Sequence, residues 1–96
     1  MAVDEKDSVK AFGVATGAIL WEQNDLKLRK LTSPVSIKNL VAVGDMEGYI
    51  HLLDAKNGDF IGRKKISRQP ILEVTSEKNF LLAVDKSGKL FKLSLN

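Results

Sequence analysis

The chain has 96 residues, 44% of them hydrophobic and 28% charged, the composition of a folded chain of at most one modest domain rather than a disordered or fibrous one. It contains no cysteine, which excludes a disulfide framework, a thiolate zinc site and a cysteine nucleophile. Fifteen basic against twelve acidic residues give a net charge of +3. The basic excess, in Lys27, Arg29 and Lys30 and in Arg63, Lys64, Lys65 and Arg68, reads as solvated strands and loops and a guarded sheet edge, not as a nucleic-acid surface.

The longest uncharged stretch in the first half, Ala11 to Trp21, spans 11 residues and holds two glycines. A membrane helix needs roughly 20 apolar residues, so no such span is expected. The first ten residues carry Asp4, Glu5, Lys6, Asp7 and Lys10 in place of the basic start and apolar run of a secretory signal, so any targeting signal is expected outside this chain.

Taken in order, the expected elements are short strands. The chain opens on a strand near Val3, continues with Val9 to Val14 and Ile19 to Gln23, and then runs through a connection, Asp25 to Pro34. A short strand over Pro34 to Ile37 is followed by the apolar run Asn39 to Val43, a turn at Asp45 to Gly48, a second run from Tyr49 to Ala55, and a turn at Lys56-Asn57-Gly58. Phe60 to Ile66 alternates poorly and ends in basic residues, as suits an outer strand wetted on both sides. Three further strands are expected between Ile71 and Leu95. Turn signals recur too often for helices, so none longer than a turn or two is predicted, including across Leu26 to Leu31.

The same phrase returns three times. A shift of 41 maps Asp4 on Asp45, Asp7 on Gly48, Val9 on Ile50, Phe12 on Leu53 and Gly17 on Gly58; a shift of 40 maps Asp45 on Asp85, Gly48 on Gly88, Ile50 on Leu90 and Leu53 on Leu93. A period of about 41 residues holding four antiparallel strands is the pattern of a propeller blade. The fold class is therefore all-β, an incomplete set of β-propeller blades: a partial blade over 1–24, a complete blade over 34–66 and a partial blade over 70–96. Propellers close with roughly four to eight blades, so this chain is expected to be a piece of a longer protein or to meet other copies. Open edges near Val3 and near Leu90 to Leu95 are expected to make the fragment self-associate.

Little supports catalysis. The single histidine, His51, lies in an alternating strand without a clustered acid partner in sequence, and reads as structural. Asp4, Asp45 and Asp85 recur at one repeat position; an acid present in every unit serves that unit's turn, and no loop gathers the oxygen ligands of calcium. No catalytic, metal or cofactor residue is therefore nominated. Trp21 is expected to pack between neighbouring blades. Its counterpart one repeat on falls at or near Gly62, so the motif decays there.

The segment Thr16-Gly17-Ala18-Ile19-Leu20-Trp21 resembles the tryptophan-docking repeat first described in quinoprotein dehydrogenases. Nearly the whole chain, with VGDMEGYIHLLDAKNGDF as its most distinctive stretch, resembles the C-terminal end of the BamB family, the propeller lipoproteins of the outer-membrane β-barrel assembly machinery. That resemblance implies a non-enzymatic scaffold at the periplasmic face of the outer membrane. It further implies anchoring by a lipidated N-terminus that this chain lacks, and a last blade closed by a strand from the N-terminal part of the parent. The implied partners are the periplasmic repeats of the barrel-forming subunit and nascent outer-membrane proteins. A fragment of a quinoprotein-like dehydrogenase and a generic protein-binding propeller remain the alternatives.

The connection DLKLRKLTSP carries the one candidate interaction site. Large apolar residues on a surface connection either pack back or meet a partner. Leu26, Leu28 and Arg29 are nominated as partner-binding residues, leucine anchors beside an arginine suited to bidentate carboxylate pairing. In the resembled family a similar leucine, leucine, arginine order on an earlier blade contacts the barrel-forming subunit. The competing reading is that these leucines seal the space between two blades.

Overall fold

The computed structural model describes residues 1–4, 7–13 and 16–95. Among the described residues there are ten strands: β1 (Ala2–Val3), β2 (Val9–Phe12), β3 (Ile19–Gln23), β4 (Val35–Ile37), β5 (Leu40–Gly44), β6 (Tyr49–Asp54), β7 (Phe60–Lys65), β8 (Ile71–Ser76), β9 (Phe80–Asp85) and β10 (Leu90–Ser94). They form three antiparallel sheets, β1-β2-β3, β4-β5-β6-β7 and β8-β9-β10. No helix occurs among the described residues, and Leu26 to Leu31 is turn and irregular backbone, as expected. Val14, the expected end of the second strand, and Asn96, the expected end of the third unit, lie outside the described residues.

Hydropathy decides the place of each strand. β5, reading LVAVG, is buried from Val41 to Gly44 on both faces, whereas β7, reading FIGRKK, is exposed at every position. A strand apolar on both faces belongs inside a stack, and one that is basic and poorly alternating belongs at its rim. Alternation along β5 divides the core in two. Val41 and Val43, with Leu53 of β6, meet Val9, Ala11 and Trp21 of the first sheet; Ala42, with Ile50, meets Val74, Leu81 and Ala83 of the third. The middle sheet is thus packed on both sides.

Trp21 fills the first of these interfaces. Its ring is buried against Gly58, where any Cβ would overlap the indole, and its Nε1–H donates to the Ala55 carbonyl oxygen at 2.8 Å. The polar end of the ring is satisfied while its apolar body is removed from water. The irregularities repeat as well. The register slips between Ala11 and Phe12 of β2 and between Leu52 and Leu53 of β6, which are repeat-equivalent positions. A bulge retained at the same place in two units belongs to the design of the blade.

Candidate functional site

Each unit turns its strands with one aspartate. The amide of Asp45 donates to the Tyr49 carbonyl, that of Asp4 to Ser8 and that of Asp85 to Lys89, at 3.0–3.1 Å. In return one carboxylate oxygen accepts from the turn: Asp45 Oδ1 from the amides of Glu47 and Tyr49, Asp85 Oδ1 from those of Ser87 and Lys89, and Asp4 Oδ1 from that of Ser8. The residue three places on has a left-handed φ in all three units, +61° at Asp7, +87° at Gly48 and +88° at Gly88. Aspartate serves the hydrogen bonds and glycine or aspartate tolerates the backbone, which is why these positions recur.

The second carboxylate oxygen is where the units differ. Asp4 Oδ2 pairs with Lys10 Nζ at 3.1 Å, Asp85 Oδ2 accepts from the Ser67 hydroxyl at 2.6 Å, and Asp45 Oδ2 lies 2.6 Å from His51 Nε2 and 3.3 Å from Arg29 Nη1. Lys10, His51 and Phe91 occupy one repeat position, six residues after the aspartate. A carboxylate only accepts, so His51 Nε2 carries the donated hydrogen. The other ring nitrogen, Nδ1, is sealed from solvent with no partner among the described residues.

These surroundings set the acidity of the aspartates. Burial raises the Asp45 carboxyl, but the hydrogen bonds from His51 and from the Tyr49 and Glu47 amides outweigh it and hold the group below the usual carboxylate range. The Ser67 and Ser87 hydroxyls, with the amides of Lys89 and Ser87, hold Asp85 down to about 2. The hydrogen bond that the Lys10 ammonium donates to Asp4 raises the pKa of Lys10 above its ordinary value.

The connection that carries the nominated residues is pinned from both sides. Asp7 of the first unit accepts the amides of Lys30 and Leu31, Met46 donates its amide to the Arg29 carbonyl, and Thr32 donates its amide to the Gly44 carbonyl while its hydroxyl accepts from the Gly44 amide. Leu28, just before these anchors, and Lys30, one of them, adopt left-handed φ of +64° and +51°. The three nominated residues therefore part company. Leu26 is 2% exposed in the first core, Leu28 is 87% exposed, and Arg29 reaches across to Asp45. His51 and Asp45 escaped the sequence reading as a pair, although the recurrence of Lys10 six residues after Asp4 is a signal that points to them.

No protein-family model matches the chain. Single proteins do. The outer membrane protein assembly factor BamB of Taylorella asinigenitalis is 45% identical over 91 residues, covering 93% of this chain and 24% of that protein. Its Escherichia coli K12 counterpart is 34% identical over 93 residues, covering 96% and 24%. The crystal structure of BamB from Moraxella catarrhalis superposes on 98% of the chain with a TM-score of 0.91 at 34% identity, covering 28% of that chain. The chain is homologous to BamB. It spans no more than about a quarter of the length of the curated relatives it matches. The BamB match makes the three sheets blades of a propeller, an incomplete set of them, as the repeat period predicts. The relatives bear the name of an assembly factor, not of an enzyme.

Proposed function

We propose that this chain is the C-terminal part of a non-enzymatic, BamB-like scaffold that assists insertion of outer-membrane β-barrel proteins. In this reading the parent works at the periplasmic face of the outer membrane, tethered by a lipidated N-terminus, and binds the periplasmic repeats of the barrel-forming subunit and, through it, serves nascent barrel proteins. Leu28 and Arg29 of the connection are the contact residues, with Leu26 fixing the connection from below. The observation that carries this assignment is Leu28, a large apolar side chain 87% exposed at a left-handed φ of +64° between buried Leu26 and the hydrogen-bonded run from Arg29 to Thr32. Backbone strain of roughly 1–2 kcal/mol at a non-glycine residue persists where the surroundings impose it, and it clusters at functional sites. The edges of β1 and β10, each paired on one side only among the described residues, are where an isolated fragment self-associates.

The reading is tested in the full-length protein with Leu28→Asp. Recovery of the barrel-forming subunit by affinity purification is expected to fall at least about fivefold, since an apolar anchor at an interface centre is worth about 1–2 kcal/mol or more. The melting temperature stays unchanged, because Leu28 contributes nothing to the core. Leu26→Ala is the control, losing about 2–5 kcal/mol of stability as a truncated core leucine. Undiminished recovery with Leu28→Asp contradicts the assignment.

A further inference from the structure

A cleft of about 360 Å³ opens between the connection and the outer strand β7, lined by Asp25, Leu26, Arg29, His51, Phe60, Gly62 and Arg63. Its walls come from adjoining parts of one chain: the connection on one side, β6 and β7 on the other. Three observations mark it as more than a packing fault. The wall is apolar at Leu26 and Phe60 and presents two guanidinium groups, that of Arg29 held from behind by Asp45 and that of Arg63 exposed, with Asp25 at its margin. The histidine in that wall is buried, with Nδ1 unserved by the folded chain, a condition that structures seldom leave unexplained. The third comes from the repeat. Beside Asp85 the position of His51 is taken by Phe91, and a short hydroxyl from Ser67 completes the carboxylate. A blade turn of this type can thus be closed without histidine or arginine, and the pair in the middle unit is a departure from that simpler arrangement.

We propose that this cleft receives an acidic side chain of a partner polypeptide, its carboxylate held by the guanidinium groups of Arg29 and Arg63 and an adjoining apolar side chain lying against Phe60. Arginine offers a planar pair of donors that matches a carboxylate. Asp45, through its 3.3 Å contact with Nη1, orients Arg29, and His51 holds Asp45 from the other side at 2.6 Å. His51 and Asp45 are positioning residues here. Phe60 and Arg63 are exposed, so an occupant stays open to solvent on one side. That suits a side chain projecting from a larger partner better than an enclosed metabolite. The inference shares Arg29 with the reading above and deepens it by naming the chemistry that this side of the connection would take, while Arg63 belongs to the cleft alone.

The test is a titration of the full chain, followed by backbone amide NMR shifts, with two capped dipeptides: N-acetyl-Glu-Phe-amide and its neutral counterpart N-acetyl-Gln-Phe-amide. Capping removes the terminal carboxylate, so any charge dependence belongs to the side chain. The glutamate peptide is expected to shift the amides of Leu26 and of residues 60–63 saturably, with the glutamine peptide about tenfold weaker and Arg63→Ala weakening the glutamate peptide about fivefold. Arg63→Ala lowers the unfolding midpoint only slightly, through loss of the guanidinium's exposed stacking on the Tyr49 ring at 4.8 Å, because its side chain lies outside both cores. Equal binding of the two peptides, or binding indifferent to Arg63→Ala, overturns the proposal. Since Arg63 is not one of the residues assigned to the barrel-forming subunit, that outcome leaves the scaffold reading untouched.

Discussion

Asp45→Ala is expected to cost about 3–5 kcal/mol, the range for breaking a buried ionic network by removing one partner. The carboxylate is fully buried and serves four groups: the amides of Glu47 and Tyr49, the His51 ring and the Arg29 guanidinium. Truncation strands two amides and leaves an arginine and a histidine without their acceptor. Asp45→Asn loses less, because Oδ1 still accepts from the turn while a neutral amide replaces the charge. Equilibrium urea unfolding of both variants checks the order. Acid reaches the same network reversibly. Folded Asp45 and Asp85 titrate below their unfolded values, so the stability they contribute is complete above the ordinary aspartate pKa of about 3.9 and disappears as the pH falls through the folded values, near 2 for Asp85. The urea midpoint is expected to be level from about pH 7 to 5 and to fall between about pH 4 and 2, with part of that fall absent in Asp45→Ala. A midpoint that declines by pH 6 contradicts the assignment of these two carboxylates.

Gly48→Ala and Gly88→Ala are the same change at the same turn position and are expected to differ severalfold in cost. Both glycines have φ near +88°, so each alanine meets a left-handed penalty of about 1–2 kcal/mol. At Gly88 nothing lies within 4 Å of a new Cβ, and the penalty ends there. At Gly48 the Cβ would overlap the backbone carbonyl of Ser67, whose own amide, with that of Ile66, donates to the Gly48 carbonyl. A backbone carbonyl pinned in that way does not rotate aside, so the segment from Ile66 to Gln69 must move off the turn. Overpacking of this kind adds about 1–3 kcal/mol. Gly48→Ala should therefore unfold at clearly lower urea than Gly88→Ala. Equal midpoints would show that the approach of Ser67 to Gly48 is not tight in solution.

The repeat was legible because its causes are local. An aspartate, a residue of left-handed φ three places on, and alternating apolar residues recur at a spacing of 40 or 41, and each is dictated by the turn or strand it occupies. The uneven hydropathy of β5 and β7 likewise reported which strand is inner and which outer. The connection was not legible in the same way. Leu26 and Leu28 are two residues apart in irregular backbone, and no periodicity says that one enters the core and the other faces water. That division is imposed by Asp7, 23 and 24 residues upstream of the amides it accepts, and by Met46 and Gly44 further along the chain. His51 reads as a lone histidine in sequence because its partner Asp45 lies across the hairpin turn, and Asp45 in turn is paired by Arg29, 16 residues before it in the connection.

The account turns on the connection being a recognition surface rather than a seal between blades. Photocrosslinking within the assembled complex reads this directly, with a photoreactive amino acid replacing Leu28 in one full-length variant and Ile61, also exposed, in another. An adduct with the barrel-forming subunit is expected from position 28 and none from position 61. No adduct from position 28, or equal adducts from both, would contradict it.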